Sequence, residues 1–129
     1  KLRISILLNN IISNAIIYHN IKNDYSYINI TVEINNTNAK ISIQDNGKGI
    51  EMENIEKIFG MFFRASTASG GSGLGLYIVK GILEKLDGSI EVNSTVGYGS
   101  EFIFTIPNIA CQNGMPQQTE IESSMYLLT

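Results

Sequence analysis

The stretch Ala39-Lys40-Ile41-Ser42-Ile43-Gln44-Asp45-Asn46-Gly47-Lys48-Gly49 alternates apolar and polar residues as far as Asp45, then breaks on two glycines. A period of two marks a strand with one buried face. The alternation places Asp45 on the face of Ile41 and Ile43, toward the core. A carboxylate there needs a partner, because burying an unpaired charge is costly. Two readings stay open. An aspartate in an Asp-Asn-Gly sequence often caps its own turn. Alternatively, it grips a flat ligand that the bare backbone at Gly47 and Gly49 lets come close.

Upstream, Ile28, Ile30, Val32 and Ile34 show the same alternation, and Asn35-Asn36-Thr37-Asn38 is a turn signal, so the two runs form an antiparallel hairpin. Before them, Ile4, Leu7, Leu8, Ile11, Ile12, Ala15 and Ile16 recur at helical spacing, with Tyr18-His19-Asn20 as the helix end. Downstream, Glu51 to Phe59 reads as a short helix with Ile55, Ile58 and Phe59 on one side, and Ala65 to Ser72 as a mobile loop. A second long helix spans Leu74 to Leu86, with Ile78, Val79, Ile82, Leu83 and Leu86 inward and Gly88 as its cap. Ile90 and Val92 mark one strand and Phe102, Phe104 and Ile106 another, joined at Gly97-Tyr98-Gly99 and ending at Pro107. Residues 108–129 read as a linker or tail, whose closing Met125-Tyr126-Leu127-Leu128 is apolar enough to dock. The elements predict an α/β two-layer sandwich: a mixed sheet covered on one face by helices.

At 129 residues the chain has the length of one domain, and 43% hydrophobic against 16% charged residues exclude a disordered one. Nine basic and twelve acidic residues leave −3, which argues against a nucleic-acid partner. A phosphate-bearing ligand must then be held by something other than a basic patch. Cys111 alone excludes an internal disulfide or a cysteine-rich zinc site, and His19 alone excludes a multi-histidine metal site. No apolar run approaches the ~20 residues of a membrane span, and no signal segment opens the chain. A helical pattern already running by Leu2 suggests an excerpt from a longer protein.

All of the 12 glycines but Gly114 fall between positions 47 and 99, most densely in Gly70-Gly71-Ser72-Gly73-Leu74-Gly75, just before a helix. Free N–H groups at a helix start can cradle phosphate, although a ligand-free hinge has the same composition. The spacing fits neither a Walker loop nor a dinucleotide fingerprint. Asn10 and Asn14 lie four apart on one helix face. Asparagine is an ordinary surface residue, but its carbonyl can also complete the shell of a magnesium ion carried by phosphates.

Taken in order, these segments resemble the catalytic domain of sensor histidine kinases over residues 1–107. Leu8 to Tyr18 is similar to the N box, Asp45-Asn46-Gly47-Lys48-Gly49-Ile50 to the first glycine box, and Ile58 to Arg64 to the F box. Gly71 to Lys80 is similar to the second glycine box, and Gly97-Tyr98-Gly99-Ser100-Glu101-Phe102 to the closing GxGT/SxF element.

The resemblance implies a Bergerat ATP-binding fold that donates the γ-phosphoryl group of ATP to a histidine in two-component signalling. It implies that Asp45 accepts a hydrogen bond from the adenine amine, with Gly47, Gly49, Ile50, Tyr18 and Ser100 around the base. Asn14 would coordinate magnesium, with Asn10 near the phosphates. Gly71, Ser72, Gly73, Leu74, Gly75 and Leu76 would receive the phosphates, with Arg64 at the root of a lid over residues 60–72. Related hydrolases carry a water-activating glutamate where this chain has Asn10, an amide that takes no proton near neutral pH. Slow hydrolysis is therefore expected, with a hydrolase of the same superfamily or a non-catalytic nucleotide-binding module as alternatives. Many histidine kinases place a cation where this chain has Ile17. His19 ends the helix that carries the N box and does not lie in a dimerisation helix, so its expected role is structural, at a helix C-terminus. The likeness further implies an upstream dimerisation and phosphotransfer domain, a response regulator receiver domain, a homodimeric parent and a cytoplasmic domain without membrane contact of its own, and it is compatible with a parent anchored in the inner membrane.

Overall fold

Three lateral rows of side chains across one sheet organise the molecule. The computed structural model describes residues 2–64 and 71–108, and the backbone of 125–128. The rest of the expected loop and lid (65–70) and most of the expected tail (109–124) lie outside the described residues. The elements are α1 (Leu2–Ile17), β1 (Tyr27–Ile34), β2 (Asn38–Asp45), a 3-10 turn (Met52–Asn54), α2 (Gly75–Lys85), β3 (Ser89–Thr95), β4 (Gly99–Pro107) and β5 (Met125–Leu128). The strand order is β3-β4-β2-β1-β5. The four ladders described are all antiparallel, where a mixed sheet was expected. Strand sense follows from the connections: two hairpins, and a crossover through α2 that delivers β3 to the outside of β4. The closing Met125–Leu128 segment returns as an edge strand, its backbone paired with Tyr27–Ile30.

Residues directly opposite in a ladder share a face. The registers therefore align Val32–Ile41–Phe104–Ile90 as one row and Ile30–Ile43–Phe102–Val92 as the next. Both rows pack under the helices, and Phe104 is fully buried, which stabilises the fold by about 1.5–3 kcal/mol. The third row, Ile28–Asp45–Ser100–Ser94, begins apolar and turns polar. There the core ends.

α1 buries Leu7, Ile11 and Ala15, four residues apart, with Leu8 and Ile12 packed beside them. The buried stripe is narrower than the periodicity suggested, since Ile4 and Ile16 stay exposed. α2 buries Val79, Ile82 and Leu83, and Leu86 packs half-buried behind them. Ile78, expected inward, falls outside that arc and is exposed. The cap of α2 also differs from expectation. Asp87 takes the left-handed conformation at φ 53°, and its N–H donates to Glu84 O while the Gly88 N–H donates to Leu83 O. This is a Schellman motif with aspartate at the position glycine usually fills. The helix expected over Glu51 to Phe59 is instead the 3-10 turn followed by further turns, because only Ile58 of that stretch is buried and one anchor cannot sustain a helix so short. Among the described residues, no helix is long and apolar enough to cross a membrane.

Candidate functional site

Asp45 ends β2 at the polar end of the third row. Its Oδ1 accepts the Gly47 N–H at 2.8 Å and the Ser100 N–H at 3.3 Å. The turn-capping role is therefore real, and it occupies one carboxylate oxygen. Burial pushes the Asp45 carboxyl above its ordinary value, and the Gly47 and Ser100 N–H groups partly offset this. Ser100 is itself buried, and its Oγ lies 2.8 Å from Ser94 Oγ.

The turn after Asp45 is clamped from both sides. The Asn46 Oδ1 accepts the Tyr27 N–H at 2.9 Å, and its Nδ2 donates to Tyr25 O at 2.9 Å. The Lys48 N–H donates to Tyr18 O at 2.9 Å, joining the end of α1 to the turn. This contact needs Gly47, because a Cβ there would stand 2.6 Å from that carbonyl. Gly49, at φ +75°, lies against the backbone of Thr95 and Val96, which no side chain would permit. Next to it, the Ile50 N–H donates to Ser94 Oγ at 2.8 Å.

The second glycine segment meets α1. A Cβ on Gly75 would stand 3.0 Å from Asn10 Oδ1 and 3.8 Å from Asn14 Oδ1, so both amide oxygens converge on the start of α2. Asn10 is oriented for this by its Nδ2, which donates to Ile6 O at 2.8 Å. A Cβ on Gly71 would lie 3.6 Å from the Tyr18 hydroxyl, so Tyr18 borders both glycine segments. Ser72 Oγ accepts the Leu74 N–H at 3.3 Å, while Gly73 packs on the backbone of Phe62. Leu74 precedes α2, and Leu76 in its first turn packs half-buried on the core. Arg64 is half-buried at the end of the F-box segment. His19 Nδ1 bonds Ile16 O at 2.8 Å, at the C-terminus of α1.

Asp45 and Gly47 also border a cavity of ≈ 280 Å³ with Ala15, Ile16, His19 and Ile28. That cavity lies on the β1 side of α1, and among the described residues its lining includes none of Asn10, Asn14, Gly71–Gly75 or Ser100. The convergence of Asn10 and Asn14 on Gly75 is thus a feature separate from that cavity. Ser94 is the site-bordering residue that sequence reasoning missed. Its signal was available, since Ile90, Val92 and Ser94 continue one alternation.

The family described as "Histidine kinase-, DNA gyrase B-, and HSP90-like ATPase" matches residues 1–109. The chain is 41% identical over 104 residues to the sensor-like histidine kinase SenX3 of Mycobacterium tuberculosis, covering 78% of this chain and 25% of that protein. It is 36% identical over 105 residues to a probable C4-dicarboxylate sensor kinase of Bacillus subtilis, covering 81% of this chain and 19% of that one. The chain thus spans a quarter or less of these relatives. Among solved structures, the catalytic domain of histidine kinase ThkA superposes with a TM-score of 0.67 at 37% identity, over 82% of this chain and 66% of that one. Full-length ShkA in complex with AMPPNP superposes with a TM-score of 0.69 at 27% identity, over 81% of this chain and 21% of that one. With the fold and the order of its boxes, these matches show that the chain belongs to the histidine kinase-, DNA gyrase B- and HSP90-like ATPase family, as a catalytic domain of the sensor histidine kinase kind.

Proposed function

We propose that this domain binds ATP with magnesium and positions the γ-phosphoryl group for transfer to a histidine on a dimerisation and phosphotransfer domain of the same protein. The observation that carries the reading is a juxtaposition. A core row turns polar at a half-buried carboxylate, and two amide oxygens converge on the glycine segment that opens α2. Asp45 accepts the adenine amine through the oxygen its own turn leaves available, while Gly47, Gly49, Ile50, Tyr18 and Ser100 frame the base. The phosphates lie on the N–H groups of Gly71 to Leu76, including Ser72 and Leu74, with Arg64 nearby. Backbone donors suit a chain of net charge −3.

Magnesium fits this donor set. Asn14 is the residue that would hold the ion, with Asn10 close to its metal or phosphate end; both oxygens are neutral, so the ion would also need phosphate oxygens and water. When bound, the ion supplies charge neutralisation on the phosphates. The chain's own part is positioning: a fixed base, a fixed triphosphate and little proton transfer. Asn10 favours transfer over hydrolysis, because an amide cannot accept water's proton. The AMPPNP complex of ShkA supports nucleotide binding by a related protein. The reading extends to a response regulator as the next acceptor, to a homodimeric parent, and to a cytoplasmic domain, compatible with a parent anchored in the inner membrane.

The test is to mix the chain with the dimerisation helices of its parent and labelled ATP. Acid-labile, base-stable label on a histidine is expected. Steady phosphate release by the chain alone, lost in Asn10→Ala, would establish the hydrolase instead. No binding of ATP at millimolar magnesium would leave an interaction module.

A further inference from the structure

Ser94 ends the row Ile28–Asp45–Ser100–Ser94, and one hydroxyl there makes three hydrogen bonds. Its Oγ accepts the Ile50 N–H at 2.8 Å, donates to Gly99 O at 3.0 Å and lies 2.8 Å from Ser100 Oγ. A hydroxyl has one proton and two lone pairs. With the proton on Gly99 and one lone pair on Ile50, the other lone pair accepts from Ser100. The Ser100 proton is thereby committed to Ser94, and its N–H is committed to Asp45 Oδ1. Beside an ionised Asp45, Ser100 Oγ is left with lone pairs only.

We propose that Ser94 is a specificity-determining positioning residue: by holding the Ser100 hydroxyl proton, it keeps the base-binding edge at Asp45 and Ser100 acceptor-only, so the site prefers a purine with a 6-amino group over one with a 6-oxo group. Where this edge faces the 6-position, both N–H bonds of an amino group can donate to it, whereas an oxo group sets lone pair against lone pair, a loss that the N1–H of a 6-oxo purine offsets only if the edge reaches N1. The inference rests on the nucleotide-binding reading above and deepens it. Ser94 does not touch the ligand. It acts through Ser100, and through Ile50, whose N–H it fixes beside Gly49.

The test compares the affinities of the whole chain for ATP and ITP with magnesium, by calorimetry, for the wild type, Ser94→Ala and Ser94→Thr. Releasing the Ser100 proton in Ser94→Ala is expected to lower the ATP-to-ITP affinity ratio about five- to tenfold, the scale of one hydrogen bond. Ser94→Thr keeps the hydroxyl and should restore the ratio. In a Ser100→Ala background, Ser94→Ala should no longer move it. A parallel loss for both nucleotides would mark Ser94 as merely structural and overturn the inference. So would a wild type that binds both equally, though ATP binding would stand. A wild type that binds neither would bring down the nucleotide-binding reading as well. Should Ser94→Ala fail to fold, Ser100→Ala alone probes the same edge, and an unchanged ratio there overturns the inference too.

Discussion

At the Asp45 end of the site, each polar group sits on or next to a strand and is already held by a neighbour: Asp45 by two N–H groups, Ser100 by Ser94, Asn46 by the backbone of Tyr25 and Tyr27. At the Asn10–Asn14 end, the side chains stand on α1 and face the glycine segment across a gap a single Cβ would fill. The first region is fixed by sheet register before any ligand arrives. The second is open by design of its glycines, and its amide oxygens gain their full use only when a charged group enters. On the proposed reading, base recognition belongs to the sheet, whereas the metal and phosphates belong to the helix junction.

Separate substitutions can break that division. The largest effect is expected for Asp45→Asn, which turns an ionised acceptor into a neutral amide. ATP binding should weaken by about 1.5–3 kcal/mol, the range for a hydrogen bond to a charged group. The loss should be the same with and without magnesium. An unchanged dissociation constant by calorimetry would remove Asp45 from the base. A smaller effect is expected for Asn14→Ala: about tenfold weaker binding with magnesium and less than about twofold without it, as suits a neutral oxygen ligand. Equal losses in both conditions would mean that the two ends are not distinct.

The base end was the more legible of the two in the sequence, for the same physical reason that makes it rigid. Alternation by twos specifies a face, so Ile41, Ile43 and Asp45 could be aligned without a structure, and Ile90, Val92 and Ser94 equally. What alternation cannot specify is which strand lies beside which, so the lateral row joining Asp45 to Ser94 through Ser100 appears only in the fold. The crossover through α2 brings β3 back in the same sense as β2, but β4 inserts between them, so every neighbouring pair is antiparallel and the expected mixed pairing does not arise. Ile78 was misplaced because α2 buries a narrower arc than its apolar content suggests. The cap was assigned to Gly88, yet Asp87 takes the left-handed turn, and Gly88 is small because a Cβ would stand 2.8 Å from Thr105 O. For β5, four residues after a polar stretch carry too little periodicity to announce a strand. The meeting of Asn10 and Asn14 with Gly75 followed from resemblance and not from pattern, since two asparagines on a helix are unremarkable until another element faces them.

Proton uptake by Asp45 gives the smallest effect and separates its two roles. Its folded pKa lies above the unfolded one because burial outweighs the Gly47 and Ser100 N–H bonds. Between the two values the folded state holds more protons than the unfolded, so this residue's contribution to stability falls as pH rises through that window and stays lowered above it. Asp45→Asn removes the dependence. Its melting temperature relative to wild type should therefore improve as pH rises from the ordinary carboxylate range toward neutral. ATP affinity should run the opposite way. On the proposed reading the adenine amine bonds an ionised carboxylate more strongly than a neutral acid, so wild-type binding weakens as pH falls through the raised pKa, and the variant lacks that slope. An aspartate that served only to cap the turn at Gly47 would give the stability slope without the binding slope. Measuring both across one pH series tests whether one carboxylate does both jobs, one oxygen holding its own backbone and the other left for the base.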